Sequence, residues 1–298
     1  MSRGLEPWRV VLFTVYPDVV AVYEQVLREH GHRLVALFTA TGPRVRRTED
    51  YKAVAQLARP NLDVVVSNQP RRWAALLDVY RPDLLVCVGF NWKLPQDVLD
   101  VPLLGAINLH AALLPKYRGA HSFAWALRNA DPVIGWTMHY MTAELDDGPI
   151  LAQPSMPLRD EDDIDVLWDP YWALAPQALD IALERIAAGD PGDPQNHEEA
   201  SQADAFEPEW LYIDWSKPAR DIHIQVRSWW GNRGETRGAL ADVDGVQTRV
   251  IKTRLTTTES QPDAPPGTIL SRDSGTLVVQ CGDRALEVLR WTPEPAVD

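Results

Sequence analysis

An amide, an imidazole and a carboxylate occur in this chain at spacings that suit acyl transfer. The first two are Asn108 and His110, followed by Leu113-Leu114-Pro115 and Arg118-Gly119-Ala120, and the third lies in the acidic turn Leu145-Asp146-Asp147-Gly148. When an amine attacks an acyl carbon, an N–H must meet the oxyanion, a base must carry the amine proton to the leaving group, and an anion must orient and tune that base. Asn108 suits the first task, His110, of a type that titrates near neutrality, the second, and Asp146 the third. His121 and His139 lack such company and read as structural histidines, although His121 stands close enough to the Arg118-Gly119 turn to touch a substrate. Asp147 reads as an exposed turn residue.

The elements that must position these groups follow from the apolar patterning. Residues 9–13 form a β-rich run, 17–30 a helical pattern and 33–39 a second β run, closed by Thr41-Gly42-Pro43. Further β runs at 63–67, 84–88 and 106–108, separated by amphipathic segments such as 71–80, predict an α/β layer with a mostly parallel sheet. Thr14-Val15-Tyr16-Pro17 after the first strand contains no glycine, so the dinucleotide fingerprint and NAD binding are excluded. In such sheets functional groups gather at strand ends. Asn108 and His110 occupy one end, and a strand at 136–141 delivers Asp146 in its following loop, which strand pairing should bring alongside.

A helix is predicted at 166–188, and the Asp-, Pro- and Glu-rich segment 189–208 reads as a linker with too little apolar surface to fold alone. The expected division is a catalytic domain at 1–188, the linker at 189–208 and a second domain at 209–298. In the second domain a helix follows Pro218, capped by Asp214 or Ser216, and five short β runs suggest a small OB-like barrel.

Composition bounds the setting. The 298 residues are 45% hydrophobic, enough for a substantial core. Net charge is −13, concentrated at 160–165, which reads as a solvated loop, and around Glu198-Glu199. Nucleic acid is repelled on average, although a local basic face can still bind phosphate. Cys87 and Cys281 stand inside apolar runs without a CxxC neighbour, which reads as core packing rather than redox or metal chemistry and fits a reducing cytoplasm. The N-terminus shows no signal-peptide pattern and no apolar stretch approaches the roughly 20 residues of a membrane helix, so a soluble cytoplasmic protein with no membrane partner is expected.

With these residues in register, the chain resembles the formyltransferases that use 10-formyltetrahydrofolate, whose N-terminal domain carries an Asn-x-His, a Leu-Leu-Pro and a later Leu-Asp-x-Gly in this order. The resemblance extends to Gly31-His32, to Ile213-Asp214-Trp215-Ser216 and to Pro266-Gly267-Thr268-Ile269-Leu270, and so covers nearly the whole chain. It implies an α/β, Rossmann-like formyltransferase domain with a mostly parallel sheet, followed by a small OB-like β-barrel domain. It implies Asn108, His110 and Asp146 as the catalytic residues, with Asp146 rather than Asp147 as the carboxylate. The implied co-substrate is 10-formyltetrahydrofolate, with no metal. Its pterin pocket would draw on Gly89, Phe90, Asn91, Trp92, Leu94 and Pro95, on Ala112, Leu113, Leu114 and Pro115, and on Thr142 and Leu145. Read without the resemblance, Phe90 and Trp92 are ordinary core aromatics.

The acceptor is less constrained. Methionyl-tRNA formyltransferases share this layout, and so do enzymes that formylate amino sugars or other small amines. Thr14-Val15-Tyr16-Pro17 replaces the usual small-residue opening, and Ala112 stands where a serine is common. After Phe38, Thr41-Gly42-Pro43-Arg44-Val45-Arg46-Arg47 replaces the longer, Gly- and basic-rich loop of the tRNA enzymes. Residues 206–298 carry eleven Lys and Arg against fourteen Asp and Glu, whereas a barrel that docks RNA should be basic. The leading expectation is therefore a small-molecule amine, such as an amino sugar nucleotide or an amino-acid-derived metabolite. Methionyl-tRNA is the alternative, with tRNA disfavoured by charge. Hydrolysis of 10-formyltetrahydrofolate and non-catalytic folate binding come further behind, the latter because it leaves the complete Asn, His and Asp set unexplained. The second domain is expected as a structural cap or as a module that forms a homodimer.

Overall fold

Unbroken apolar runs require cover on both faces, which a strand finds at the centre of a parallel sheet. The computed structural model, which describes residues 6–41, 50–90, 92–162, 164–229, 237–256, 261, 263–273 and 275–294, places β1 (Arg9–Thr14) there, buried in five of its six residues. After it come β2 (Arg33–Thr39), β3 (Asp63–Val66), the fully buried β4 (Leu84–Val88) and β5 (Ala106–His110). β6 (Val133–Gly135) pairs with β9 (Ser155–Pro157), while β7 (Thr137–Tyr140) and β8 (Ile150–Ala152) complete the main sheet. Its order is β3-β2-β1-β4-β5-β7-β8. The first five strands are parallel, as expected, whereas β7 runs antiparallel to β5 and β8 antiparallel to β7.

The helices fill the crossovers. α1 (Pro17–Glu29) starts with proline in its first turn, where the missing N–H costs nothing. It buries Val19, Val20, Tyr23, Val26 and Leu27, one face of a 3.6-residue period. α2 (Asp50–Ala55), α3 (Trp73–Tyr80) and α4 (Gln96–Leu99) follow, with α5 (Ser122–Arg128) after β5. The helix predicted at 166–188 is two helices, α6 (Ile164–Trp172) and α7 (Leu174–Ala187). One core lies around Trp73, which is 1% exposed and packs edge-on against Phe13, Phe90 and Trp92.

Two compact units result, one of residues 1–119, 135–155 and 171–202, the other of 120–134, 156–170 and 203–298. They interleave along the chain. In the second unit α5 packs on α8 (Ala219–Ser228). Strands β10 (Ala239–Val243), β11 (Val246–Leu255), β12 (Ile269–Asp273), β13 (Thr276–Gln280) and β14 (Ala285–Pro293) form an antiparallel sheet in the order β10-β11-β14-β13-β12. Its core gathers Trp215, Ile222, Val226, Val250, Leu277 and Leu286.

Two sequence readings change here. The first N–H of α8, that of Ala219, is met by Asp283 at 2.7 Å, while Asp214 accepts from Ser216 instead of capping the helix. A cap supplied from 64 residues away leaves no local spacing to read. The acidic stretch is not simply solvated, because the Asp160 carboxylate pairs with Arg220 at 2.5 Å and its carbonyl accepts from His223 Nε2 at 2.9 Å. Trp229 packs edge-on against Phe206 and donates to the Trp210 carbonyl. Among the described residues no helix is long and apolar enough to cross a membrane.

Trp73→Ala removes the largest fully buried side chain and should destabilise the protein by about 3–5 kcal/mol. Urea unfolding with an unchanged slope should show it as a lower midpoint. A loss of only about 1 kcal/mol would mean that the core around Phe13 and Phe90 collapses to fill the space.

Candidate active site

Side chains two apart on a strand share a face, so Asn108 and His110 of β5 project together while Leu109 turns into the opposite layer. Antiparallel pairing sets Asn108 across from His139 and His110 across from Thr137, and paired residues share a face. His139 thereby joins the site. Its Nδ1–H donates to the Tyr140 carbonyl at 2.7 Å, which leaves Nε2 as acceptor for one N–H of the Asn108 amide at 3.2 Å. It is 2% exposed. The structural role assigned to it from sequence missed this, because nothing in its local spacing reveals which residue it will oppose.

The loop after β5 is fastened to β7. The Thr137 hydroxyl donates to the Ala112 carbonyl at 2.6 Å and accepts from the Leu114 N–H at 3.0 Å, and Gln153 donates to the Leu114 carbonyl at 2.7 Å. The Leu114–Pro115 peptide within this loop is cis. Further on, the Tyr117 carbonyl accepts from His110 Nε2 at 2.8 Å, leaving Nδ1 as the ring nitrogen free to change protonation. That nitrogen lies 3.4 Å from Asp146 Oδ2.

Asp146 sits in a turn that the backbone would not adopt unaided. Its φ is 53°, in the left-handed region that disfavours residues bearing a Cβ. At Gly148 a Cβ would stand 1.9 Å from the Tyr140 carbonyl oxygen, so only glycine fits. The Asp146 carboxylate accepts the Gly119 N–H at 2.8 Å, and its other oxygen lies 3.7 Å from His139 Nε2. Asp147, expected as an exposed turn residue, is instead the 2.5 Å partner of the buried Arg118. A buried guanidinium needs an anion, which this neighbour of Asp146 supplies. His121 lies at the start of α5, in the second unit.

Burial and pairing set the protonation states. Burial pushes the His110 pKa below its usual 6.5, and the Asp146 charge pushes it partly back. Burial also works against the Asp146 carboxylate, but His110, His139 and the Gly119 N–H outweigh it and hold its pKa at about 2. Around neutrality the arrangement is an anion beside an imidazole that can take a proton at Nδ1. The half-buried Asn108 keeps a second amide N–H that His139 does not use.

The residues implied for a pterin pocket stand on three loops of the same unit. Gly89 follows β4 with φ 60°, and a Cβ there would meet the Tyr16 ring at 1.9 Å, so the bulky opening after β1 is matched by a glycine at this strand end. Phe90 and Trp92 are half-buried, with Phe90 packed on Phe13 and Trp73 and Trp92 on Trp73. Leu94, Ala112 and Leu114 are buried, Pro95, Leu113 and Pro115 half-buried, and Thr142 and Leu145 exposed, Leu145 by 55%. Asn91 and the Arg44, Arg46 and Arg47 cluster lie outside the described residues.

Residues 9–181 match the formyl transferase family and residues 206–295 the formyl transferase C-terminal domain. The chain belongs to this family of enzymes, which transfer formyl groups. It is 34% identical over 293 residues to a methionyl-tRNA formyltransferase of Pseudomonas fluorescens, covering 96% of this chain and 88% of that one. To the protein of the same name from Pelobacter propionicus it is 32% identical, covering 93% and 86%. Among solved structures, HypX from Aquifex aeolicus in complex with tetrahydrofolic acid matches with a TM-score of 0.69 at 17% identity, over 98% of this chain and 45% of that one. This chain therefore spans less than half of HypX. The sugar 3N-formyl transferase WlaRD, in the presence of dTdp and 5-N-formyl-THF, matches with a TM-score of 0.66 at 14% identity, over 98% of this chain and all of that one. At such identities these two structures show the shared fold.

If His110 is the base, kcat/KM should fall on the acid side with a pKa below 6.5. Asp146→Asn removes the charge that raises the His110 pKa, so the acid limb should move to still lower pH while the plateau drops. A limb that moves upward would show that Asp146 does not act on His110 through its charge.

Proposed function

We propose that this chain transfers the formyl group of 10-formyltetrahydrofolate to the α-amino group of methionyl-tRNA, with Asn108, His110 and Asp146 as the catalytic residues. The site is the juxtaposition of His110 Nδ1 with Asp146 at 3.4 Å beside Asn108. The acceptor is supported above all by the two relatives named for methionyl-tRNA, each at least 32% identical over more than nine-tenths of this chain. That likeness outweighs the departures that favoured a small amine from sequence, since it runs through both domains.

The folate supplies an activated formyl carbon and a nitrogen leaving group. Leu145, an exposed leucine on the turn that carries Asp146, fits an apolar ring lying beside it. The pocket would be completed by Gly89, Phe90, Asn91, Trp92, Leu94 and Pro95, by Ala112 to Pro115 and by Thr142. As the acceptor amine forms its bond to the formyl carbon, the free N–H of Asn108 meets the oxyanion, a contribution on the order of 10² to 10³ in rate. His110 Nδ1 takes the amine proton, and Asp146 stabilises the imidazolium. When the tetrahedral centre collapses, the bond to the folate nitrogen breaks and His110 returns the proton to that nitrogen. No covalent enzyme intermediate is needed.

A second reading, a small primary amine as acceptor, is favoured by one observation: the −13 net charge, which persists as an excess of acidic residues at 206–298. Purified protein supplied with formyl-labelled 10-formyltetrahydrofolate and cell extract split into tRNA and small-molecule fractions separates the two. Label in charged initiator tRNA supports the first reading, and label confined to small molecules replaces it with the second. In either case His110→Ala and Asp146→Ala should lower transfer by at least about 10² with unchanged circular dichroism. Full activity in either variant would falsify the catalytic assignment.

A further inference from the structure

Gln195 belongs to the polar stretch that reads as a linker in the sequence, yet its side chain is buried at 7% exposure, with its amide nitrogen spent on the catalytic turn and its oxygen on Arg118. Its amide nitrogen donates to two carbonyls of that turn, Asp146 at 2.9 Å and Gly148 at 2.8 Å. Its oxygen accepts from Arg118 Nε at 3.2 Å and Nη2 at 2.7 Å. Arg118 directly precedes Gly119, whose N–H is the 2.8 Å donor to the Asp146 carboxylate. One side chain thus holds both partners of the hydrogen bond that aims Asp146, the acceptor through its own backbone and the donor through the neighbouring residue.

The turn needs such a clamp. Asp146 stands at φ 53°, and its carbonyl and that of Gly148 converge on a single NH₂ group, an arrangement that only a two-proton donor satisfies. Removing that donor leaves two carbonyls without a partner and a strained residue free to relax. His110 Nδ1, 3.4 Å from the carboxylate, would register the displacement.

We infer that Gln195 is a positioning residue for formyl transfer, holding the Asp146 carboxylate against His110 by clamping the 146–148 turn to Arg118. This rests on the proposed role of Asp146. Gln195 is not a catalytic residue, since its contacts are to the turn and to Arg118.

Gln195→Glu is the diagnostic change, because it still accepts from Arg118 but cannot donate to either carbonyl. Gln195→Met, of similar length and at home in a buried site, loses both functions. In the full-length protein each should lower kcat by about 10-fold or more while changing the KM for 10-formyltetrahydrofolate less than about twofold. Each should also shift the His110 titration, followed by NMR, to lower pH, in the direction produced by Asp146→Asn. In an Asp146→Asn background Gln195→Glu should cost little more, since its effect runs through the carboxylate already removed. Wild-type kcat and an unmoved His110 titration in both variants, or losses that multiply in the double variant, would overturn the inference. So would loss of fold in both, which would make Gln195 a stability residue. A fully active Asp146→Asn would instead remove the underlying catalytic reading, so the two failures are distinguishable.

Discussion

The antiparallel pairing of β7 against β5 is the constraint on which the candidate site depends. Across the parallel part of the sheet the chain crosses over and returns in the same direction, but β7 reverses and sets His139 opposite Asn108 and Thr137 opposite His110. From that pairing Thr137 fastens the Leu113-Leu114-Pro115 loop and His139 orients the Asn108 amide. The same strand leads into the turn that brings Asp146 back toward His110. Slipping the register by one residue would turn every one of these side chains to the other face.

Burial gives the site its electrical character. A carboxylate and an imidazole taken out of water both prefer their neutral forms, and each alone would be costly. Placed together, the carboxylate stays ionised because histidines and a backbone N–H face it, and the imidazole keeps part of its basicity because the carboxylate faces it. The proton of Nε2 is committed to the Tyr117 carbonyl, so Nδ1 is the position at which charge can change. Next to this pair, the buried Arg118 and the half-buried Asp147 form a separate ion pair tied to Gln195. The two adjacent aspartates of Leu145-Asp146-Asp147-Gly148 thus face different partners, Asp146 the two imidazoles and Asp147 the guanidinium.

The acidity of the chain weighs differently after the fold is known. Within the first unit, acidic side chains are consumed in specific contacts, as with Asp190 and Asp193 on Arg185. Within the second, Asp160 is tied to Arg220 and Glu207 to Arg128, whose guanidinium lies over the Trp125 and Trp210 rings. Each acid–base pair of this kind adds zero to the net charge, so the excess that makes up −13 is carried by other side chains. A net charge does not say where that excess lies, and a local basic face can still meet phosphate.

The sequence by itself determined the parallel layer and the membership of the formyl transferase family, and it singled out Asn108, His110 and Asp146 as candidates that the fold brings together. Each of these is written in local periodicity or short motifs, and a strand or a turn is governed by neighbours in the chain. What it left undetermined were long-range partnerships: His139 against Asn108, Asp147 against Arg118, Asp283 on α8, and Gln195 beneath the Asp146 turn. A histidine at 139 or a glutamine at 195 has the same local spacing whether it faces solvent or a buried polar partner. Only the tertiary structure decided between those outcomes. Which residues oppose each other is fixed by strand direction and by the burial of whole elements, and these are properties of the packed chain that no window of sequence contains.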